Sequence, residues 1–268
     1  MKMESFIGKD DELPLDSCPH SGGFTSIFRT VAAIGDSLAS GEFMTVNAIN
    51  GKPMGVDSYD YSWGQFMARI AGITVYNFSE GGMTAEAYFN SFANARGFFR
   101  PELCANAYII ALGVNDILNK NKEIGTVSDI HPEDYRKNAE NFAGYIGRII
   151  SKYKEISPEA KFFLVTIPDA PRNDYQRAQV KEHAALMYKI AELFDSTYVI
   201  DLNKYGPYYG KEFRQKYFLR GHLAPAGYYL TAQMMCSYID YIVRKNPEDF
   251  RYVGLMGYEY ERREDDAL

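Results

Sequence analysis

The sequence predicts a three-layer α/β fold with a five-stranded parallel sheet at its centre. Short apolar runs rich in β-branched residues alternate with longer segments in which apolar residues recur every three or four positions. The apolar residues within each short run are consecutive, which is typical of strands buried on both faces. Repeated strand, helix, strand order makes neighbouring strands parallel and places helices on both faces of the sheet.

The predicted strands cover residues 29–35, 73–79, 106–113, 161–168 and 197–202. The predicted helices cover residues 63–71, 85–95, 133–153, 175–194 and 225–244. Two loops are long for such a fold, residues 42–62 after the first strand and residues 116–131 after the third. Ligands of open α/β sheets bind beyond the carboxyl ends of the strands, so we expect both loops to rim a site.

Length and composition favour one domain over residues 1–268. Of these residues 46% are hydrophobic, enough for a sizeable core, and the chain has no fixed-period repeat and no Pro- or Gly-rich linker. The net charge of −6 argues against nucleic acid as a partner, because phosphates need a basic surface. No apolar stretch is long enough for a membrane span or for a signal-peptide core, so we expect a cytoplasmic location and no membrane partner.

Cofactor and metal motifs are absent from the sequence. It has no phosphate-binding lysine loop, no H-E-x-x-H, and no G-x-G-x-x-G after the first strand, so we expect neither a cofactor nor a metal. The three cysteines, Cys18, Cys104 and Cys236, are far apart and odd in number. They predict reduced core thiols and not a disulfide framework or a zinc site.

Four short motifs follow predicted strands or precede the last predicted helix. The first strand ends on "GDS", residues 35–37; "NFSEGG" and "GVND" follow the second and third strands; "GHLAPAGY" places His222 just before the last helix. Each motif also has a structural interpretation. The first and third are common helix caps, and Gly81-Gly82 is a common turn.

Taken together and in this order, the four motifs resemble those of the SGNH hydrolases, also called the GDSL esterase and lipase family. The resemblance implies that Ser37 is the nucleophile and His222 the general base. It also implies oxyanion donors at Ser37, Gly82 and Asn115. It covers residues 30–246 and leaves residues 1–28 and 247–268 without an assignment.

The family's fold places the first strand between the second and third, which is a flavodoxin-like order. Ser37, Gly82 and Asn115 would then lie at three adjacent strand ends, at the switch point of the sheet. Ester hydrolysis needs a hydroxyl activated by a base, and fixed donors for the oxyanion. The other three histidines, His20, His131 and His183, are interpreted as structural or solvated.

One position departs from the family pattern. The family writes its base as D-x-x-H, but "FLRGH" has Leu219 where that acid is expected. Two alternatives stay open. A backbone carbonyl can orient His222 in a Ser-His dyad, or Asp169 or Asp201, each at the end of a strand, supplies the acid.

Competing enzyme classes fit less well. An α/β-hydrolase would carry G-x-S-x-G, but its fifth position is Ala39 here. The sequence therefore predicts a serine esterase for small acyl esters, with acetyl groups on carbohydrate as the first choice of substrate. Tyr59, Tyr61 and Trp63 are candidate sugar or acyl contacts, and plain packing explains them equally well.

The alternative function is a degenerate hydrolase that binds a ligand or acts in assembly. The missing acid motivates it. The segment 250–268 is apolar and aromatic before it turns acidic, which is typical of a subunit-docking segment, so a homo-oligomer is also an expectation. The acyl chain and the alcohol of the substrate are not determined by the sequence.

Overall fold

The central sheet has the strand order that the family resemblance implies. The computed structural model describes residues 7–256. The sheet is all-parallel, in the order β4-β1-β5-β6-β7. Its strands are β1 (Thr30–Gly35), β4 (Thr74–Ser79), β5 (Ala107–Ala111), β6 (Lys161–Val165) and β7 (Thr197–Ile200). All five predicted strands and the flavodoxin-like order are confirmed, with the third, fourth and fifth strands ending earlier than expected.

Two antiparallel ribbons lie outside the sheet. The first, β2 (Glu42–Val46) with β3 (Pro53–Asp57), occupies the segment that was predicted to be a loop. The second pairs β8 (Phe218–Leu219) with β9 (His222–Leu223), so His222 lies on a short strand and not in an irregular loop. Its turn residue Arg220 has a φ of 57°, the left-handed conformation that tight hairpin turns require.

Helices pack on both faces of the sheet. The longer ones are α2 (Trp63–Ala71), α3 (Phe142–Ile156), α4 (Asp174–Leu193), α5 (Lys211–Tyr217) and α6 (Pro225–Lys245), and the single turn α1 (Ser37–Ser40) precedes them. One face of the sheet packs against α3, α4 and the helical segment 85–96, and the other face packs against α2 and α6. Neighbouring strand residues alternate between these two apolar clusters, which explains why the strand sequences are continuously apolar.

Local capping determines where the helices begin and end. Ser62 accepts a hydrogen bond from Gln65 N (3.1 Å) at the start of α2, and Gly72, with a φ of 67°, ends it. Helix α3 was predicted to start at residue 133, which is wrong. The Asn141 side chain accepts from Gly144 N (3.0 Å) and starts the helix there, after a separate short turn at Tyr135–Lys137.

The N-terminal segment, which had no assignment from the sequence, packs on α6. Arg244, whose side chain is 6% exposed, bonds the carboxylates of Glu12 and Asp240, and Phe24 N donates to Asp240. A buried guanidinium needs such partners because an unpaired buried charge is costly. Of the three cysteines, Cys18 is exposed and Cys236 is buried, so the prediction of a core thiol is wrong for Cys18.

Candidate active site

The sheet register brings three of the four motifs to one edge. Strand β1 lies between β4 and β5, and its last residue, Gly35, is in register with both Ser79 and Ala111. Ser37, Gly82 and Asn115 follow these three strand ends within a few residues. Three adjacent strands therefore deliver a hydroxyl, a glycine and an amide side chain to the same edge, at the switch point of the sheet.

The turn at the end of β1 is tight. A Cβ on Gly35 would overlap the Cβ of Ala39 and lie 3.1 Å from Ala111 O, so this turn requires glycine. Asp36 Oδ1 accepts from Leu38 N (3.0 Å) and caps α1. The capping interpretation is thus correct for Asp36. The neighbouring Ser37 hydroxyl donates no hydrogen bond to another residue within 7–256.

Two main-chain N–H groups at this edge are without an acceptor. In the described chain neither Ser37 N nor Gly82 N donates a hydrogen bond. Gly82 has a φ of 75°, which is the left-handed region where a larger residue would be strained, and a Cβ there would meet open space. Free donors in a fixed turn are what an oxyanion site needs.

Asn115 is already bonded on both sides of its amide. Its Nδ2 donates to Asp36 Oδ2 (3.2 Å) and to Met83 O (3.1 Å), and its Oδ1 accepts from Asn119 Nδ2 (2.7 Å). Both hydrogens of the Asn115 amide nitrogen therefore already have an acceptor within the protein. Asn115 can serve an oxyanion only by exchanging one of these two acceptors for it.

Two buried carboxyl groups lie below this edge. Burial raises the pKa of Asp36 to about 7, opposed by its bond from Leu38 N and helped by the nearby Asp116. Burial likewise raises the pKa of Asp116 to about 6. Asp116 accepts from Ala85 N (3.0 Å), at the start of the helical segment that follows the Gly81-Gly82 turn. The helical turn of its own motif, Val114–Asn119, begins after Gly113 without a side-chain cap, so the cap interpretation of this motif is wrong.

The strand that carries His222 packs against the nucleophile turn from outside the sheet. Strand β9 packs against α1 and against β2, and His222 is paired across the ribbon with Leu219. The Nδ1 atom of His222 is buried and has no hydrogen-bond partner. Its Nε2 lies 3.5 Å from Oε1 of Glu42. Sequence reasoning did not single out Glu42. The one signal was its position in the loop expected to rim the site.

The two acids considered from the sequence point elsewhere. The Asp201 carboxylate accepts from Thr166 Oγ1 (2.9 Å), Lys204 N (3.0 Å) and Tyr188 Oη (3.0 Å). Asp169 lies near Arg172, where burial lowers the pKa of the guanidinium and the Asp169 charge opposes this effect. Over residues 7–256, Glu42 alone places a carboxylate oxygen within 4 Å of a His222 nitrogen.

The remaining candidate residues have separate surroundings. His20 and His131 are exposed, and His183 is fully buried on α4, where burial lowers its pKa to about 4. Trp63 is core, at 2% exposure, and Tyr59 donates to Val75 O (2.9 Å). Tyr61 is half-exposed beside Phe43.

A narrow apolar pocket of about 60 Å³ lies next to the motif residues. Asp36 and Leu38, which flank Ser37, line it together with Val114, which precedes Asn115, and Leu223, which follows His222. Ile167 and Pro168 are also part of its wall. The pocket has room for a few water-sized groups.

No helix among the described residues is long and apolar enough to cross a membrane.

Solved structures share this fold at low sequence identity. A family 2 carbohydrate esterase from Clostridium thermocellum, in complex with cellohexaose, is 15% identical with a TM-score of 0.54, over 82% of this chain and 65% of that chain. The esterase EstA from Pseudoalteromonas sp. is 14% identical with a TM-score of 0.50, over 80% and 98%. A G-D-S-L family protein from Desulfitobacterium hafniense DCB-2 is 17% identical with a TM-score of 0.51, over 78% and 99%.

A search of curated proteins found no match. The model of one family does match the chain, over residues 33–230, and this range includes Ser37, Gly82, Asn115 and His222. The strand order, the tight turn before Ser37 and this match agree. The chain belongs to the GDSL-like lipase/acylhydrolase family.

Proposed function

We propose that this protein is a serine esterase that hydrolyses small acyl esters, with O-acetyl groups on carbohydrate as the substrate class. The observation that carries the proposal is the meeting of Ser37, Gly82 and Asn115 at three adjacent strand ends, with His222 packed against the same turn. In this scheme Ser37 attacks the ester carbonyl and His222 accepts its proton. The N–H groups of Ser37 and Gly82 and the Asn115 amide hold the oxyanion.

The size of the acyl group is argued from the apolar pocket. Its wall includes Leu38, Val114 and Leu223, each a sequence neighbour of a proposed catalytic residue, together with core residues such as Trp63 and Met235. A volume of about 60 Å³ favours an acyl chain of a few carbons over a long fatty acid. The carbohydrate part is supported by the fold likeness to the cellohexaose-bound esterase.

The experiment is covalent labelling followed by kinetics. A fluorophosphonate should form an adduct on Ser37, found by mass spectrometry, and Ser37→Ala should abolish the adduct. Esters from acetate to octanoate should show the highest kcat/KM at the short end. Ser37→Ala should lower kcat by at least about 10⁴-fold.

The second candidate is a ligand-binding module that has lost catalysis. It is favoured by Leu219 in place of the family acid and by the unpartnered Nδ1 of His222. A protein that binds acetylated sugar but takes up no fluorophosphonate would support this second candidate and overturn the esterase. The predicted docking segment lies largely outside the described residues, in 257–268, so homo-oligomerisation stays a prediction.

A further inference from the structure

A carboxylate lies beside the proposed general base. Oε1 of Glu42 is 3.5 Å from Nε2 of His222, and both side chains are 19% exposed. At this separation two opposite charges attract each other. The pair is an ion pair whenever His222 carries a proton.

Helix α6 fixes the main chain of Glu42. The Tyr228 hydroxyl donates to Glu42 O (2.7 Å). The oxygen of this hydroxyl also lies 3.4 Å from Ser37 O. Tyr228 lies on helix α6, which begins at Pro225, three residues after His222. One phenol therefore ties both ends of the segment that runs from Ser37 to Glu42 to the element that follows His222.

Two glycines make room for the Glu42 carboxylate. A Cβ on Gly55, which lies on strand β3 and pairs with Met44, would overlap Oε1, and a Cβ on Gly81 would overlap Oε2. The same Gly81 Cβ position is 4.0 Å from the Ser37 Cβ. The carboxylate thus lies in a space bounded by the ribbon, the Gly81-Gly82 turn and the nucleophile.

Neither position 219 nor the surroundings of Nδ1 of His222 supply an acid. Leu219, directly across the ribbon from His222, is 46% exposed and has no group that binds a proton. Nδ1 of His222 is buried without a hydrogen-bond partner, so no backbone carbonyl of the described residues holds it. The imidazole has its nearest negative charge at Glu42.

We propose that Glu42 is the positioning residue that replaces the family acid and stabilises the imidazolium form of His222 during catalysis. This inference rests on the proposed esterase function. As the Ser37 oxygen bonds to the ester carbon, the C=O electron pair moves to the oxyanion and the hydroxyl proton passes to Nε2 of His222, because Nδ1 is buried. The resulting positive charge is shared by both ring nitrogens, so a carboxylate beside Nε2 stabilises it. The proton then goes to the leaving alkoxide, and Glu42 itself takes none.

The other titratable groups near the ring are few. The elements packed against His222 carry Asp36 at the nucleophile turn, Tyr228 on α6 and Arg220 in the β8–β9 turn. The β2–β3 ribbon also carries Asp57, which pairs with Glu42 and accepts from Ser40 Oγ (2.6 Å). None of them has a carboxylate oxygen within 4 Å of an imidazole nitrogen. The substitution of Glu42 is therefore expected to have the largest effect on the pH profile.

The first test is Glu42→Gln, measured as kcat and KM for a short-chain ester over a pH range. We expect kcat to fall by about 10- to 100-fold, less than the about 10⁴-fold for a buried triad acid, because the pair is partly exposed. KM should change by less than about threefold. The acid limb of the kcat/KM profile should move to lower pH, because the variant removes a negative charge that favours the protonated ring. Glu80→Gln, on the same edge but paired with Arg96, is the matched control and should leave the profile unchanged.

The second test moves the carboxylate without removing it. Gly55→Ala should displace Glu42 from His222, lower kcat and move the acid limb in the same direction as Glu42→Gln. This variant also serves if Glu42→Gln does not fold, as judged from its circular dichroism.

Three outcomes would overturn the inference. Unchanged kcat and pH profile in both variants would show that Glu42 does not act on His222. A higher kcat would show that Glu42 obstructs the site, and an effect on KM alone would make it a substrate contact. In each case fluorophosphonate labelling of Ser37 and activity of the unmutated protein would persist, so the proposed function would stand. Absence of labelling and activity in the unmutated protein would instead overturn both.

Discussion

The Asn115 amide donates a 3.2 Å hydrogen bond to the buried carboxyl group of Asp36, joining the ends of two neighbouring strands. Asp36 also caps the turn that begins with Ser37. The Asp36 carboxyl group therefore bonds both the turn of the proposed nucleophile and the amide of the proposed oxyanion donor. A change at either residue should therefore affect both catalysis and stability.

Asn115→Ala should lower kcat by about 10²-fold and leave KM nearly unchanged, because an oxyanion donor acts mainly in the transition state. Steady-state kinetics on an acetate ester measures both constants. Asn119→Ala, which removes only the bond to Asn115 Oδ1, is the structural control and should cost far less in kcat. An effect of Asn115→Ala on KM alone would contradict its assignment.

Asp36→Asn should change how stability depends on pH. The folded-state pKa of Asp36 is about 7, above its ordinary value of 3.8, so the native state keeps a proton that the unfolded chain releases. The contribution of Asp36 to the free energy of unfolding is complete below about pH 4 and is lost as the pH rises toward 7. Thermal melts at pH 5 and pH 8 should show a smaller fall in Tm for Asp36→Asn than for the unmutated protein. Equal falls would refute this role for Asp36.

The effect of His183 on stability should depend on pH in the direction opposite to that of Asp36. Its folded-state pKa is lowered by burial from 6.5 to about 4, so the unfolded chain binds a proton that the native state excludes. Stability from this group is complete above about pH 6.5 and is lost as the pH falls toward 4. His183→Leu should therefore lose less Tm between pH 7.5 and pH 5 than the unmutated protein. The exposed His131, changed to Gln, should leave that difference unaltered.

Leu219→Asp should be tolerated and should rescue Glu42→Gln in part. Leu219 is half-exposed and lies opposite His222, so an aspartate there remains hydrated and its Cβ lies about 5 Å from that of His222. Adding it to Glu42→Gln should return the acid limb of the kcat/KM profile toward higher pH and raise kcat. A double variant with the kinetics of Glu42→Gln would show that residue 219 does not act on the imidazole.

Tyr228→Phe should separate anchoring from chemistry. Loss of the hydroxyl removes the 2.7 Å bond to Glu42 O and should lower the free energy of unfolding by about 1 kcal/mol. If the bond positions Glu42, kcat should also fall several-fold with the same direction of pH shift as Glu42→Gln. Tyr229→Phe, half-exposed on the same helix, provides the comparison for stability.

The strands and the motifs could be predicted because their signals are local. Continuous apolar runs such as 106–113 are forced by burial on both faces, and the position of Ser37 after β1 follows from one strand and one turn. The order of the strands came from the family resemblance and not from the residues alone.

What the sequence did not reveal depends on long-range pairing. The strands of the β2–β3 ribbon are short, contain no buried residue and lack a regular apolar alternation, so its segment was interpreted as a loop. Glu42 approaches His222 only because that ribbon packs against β9, 180 residues further along the chain. Asn141 as the start of α3 was also missed, because helical periodicity extends through residues that a cap excludes.

The two-residue strands of the β8–β9 ribbon have a kinetic consequence. Ser37, Gly82 and Asn115 follow strands of the five-stranded sheet, whereas His222 is held by a ribbon too short to be stable by itself. Local opening of that ribbon should require far less free energy than global unfolding. Amide hydrogens of β8 and β9 should therefore exchange with deuterium faster than those of β1, and a brief opening would remove the base while the nucleophile turn stays folded.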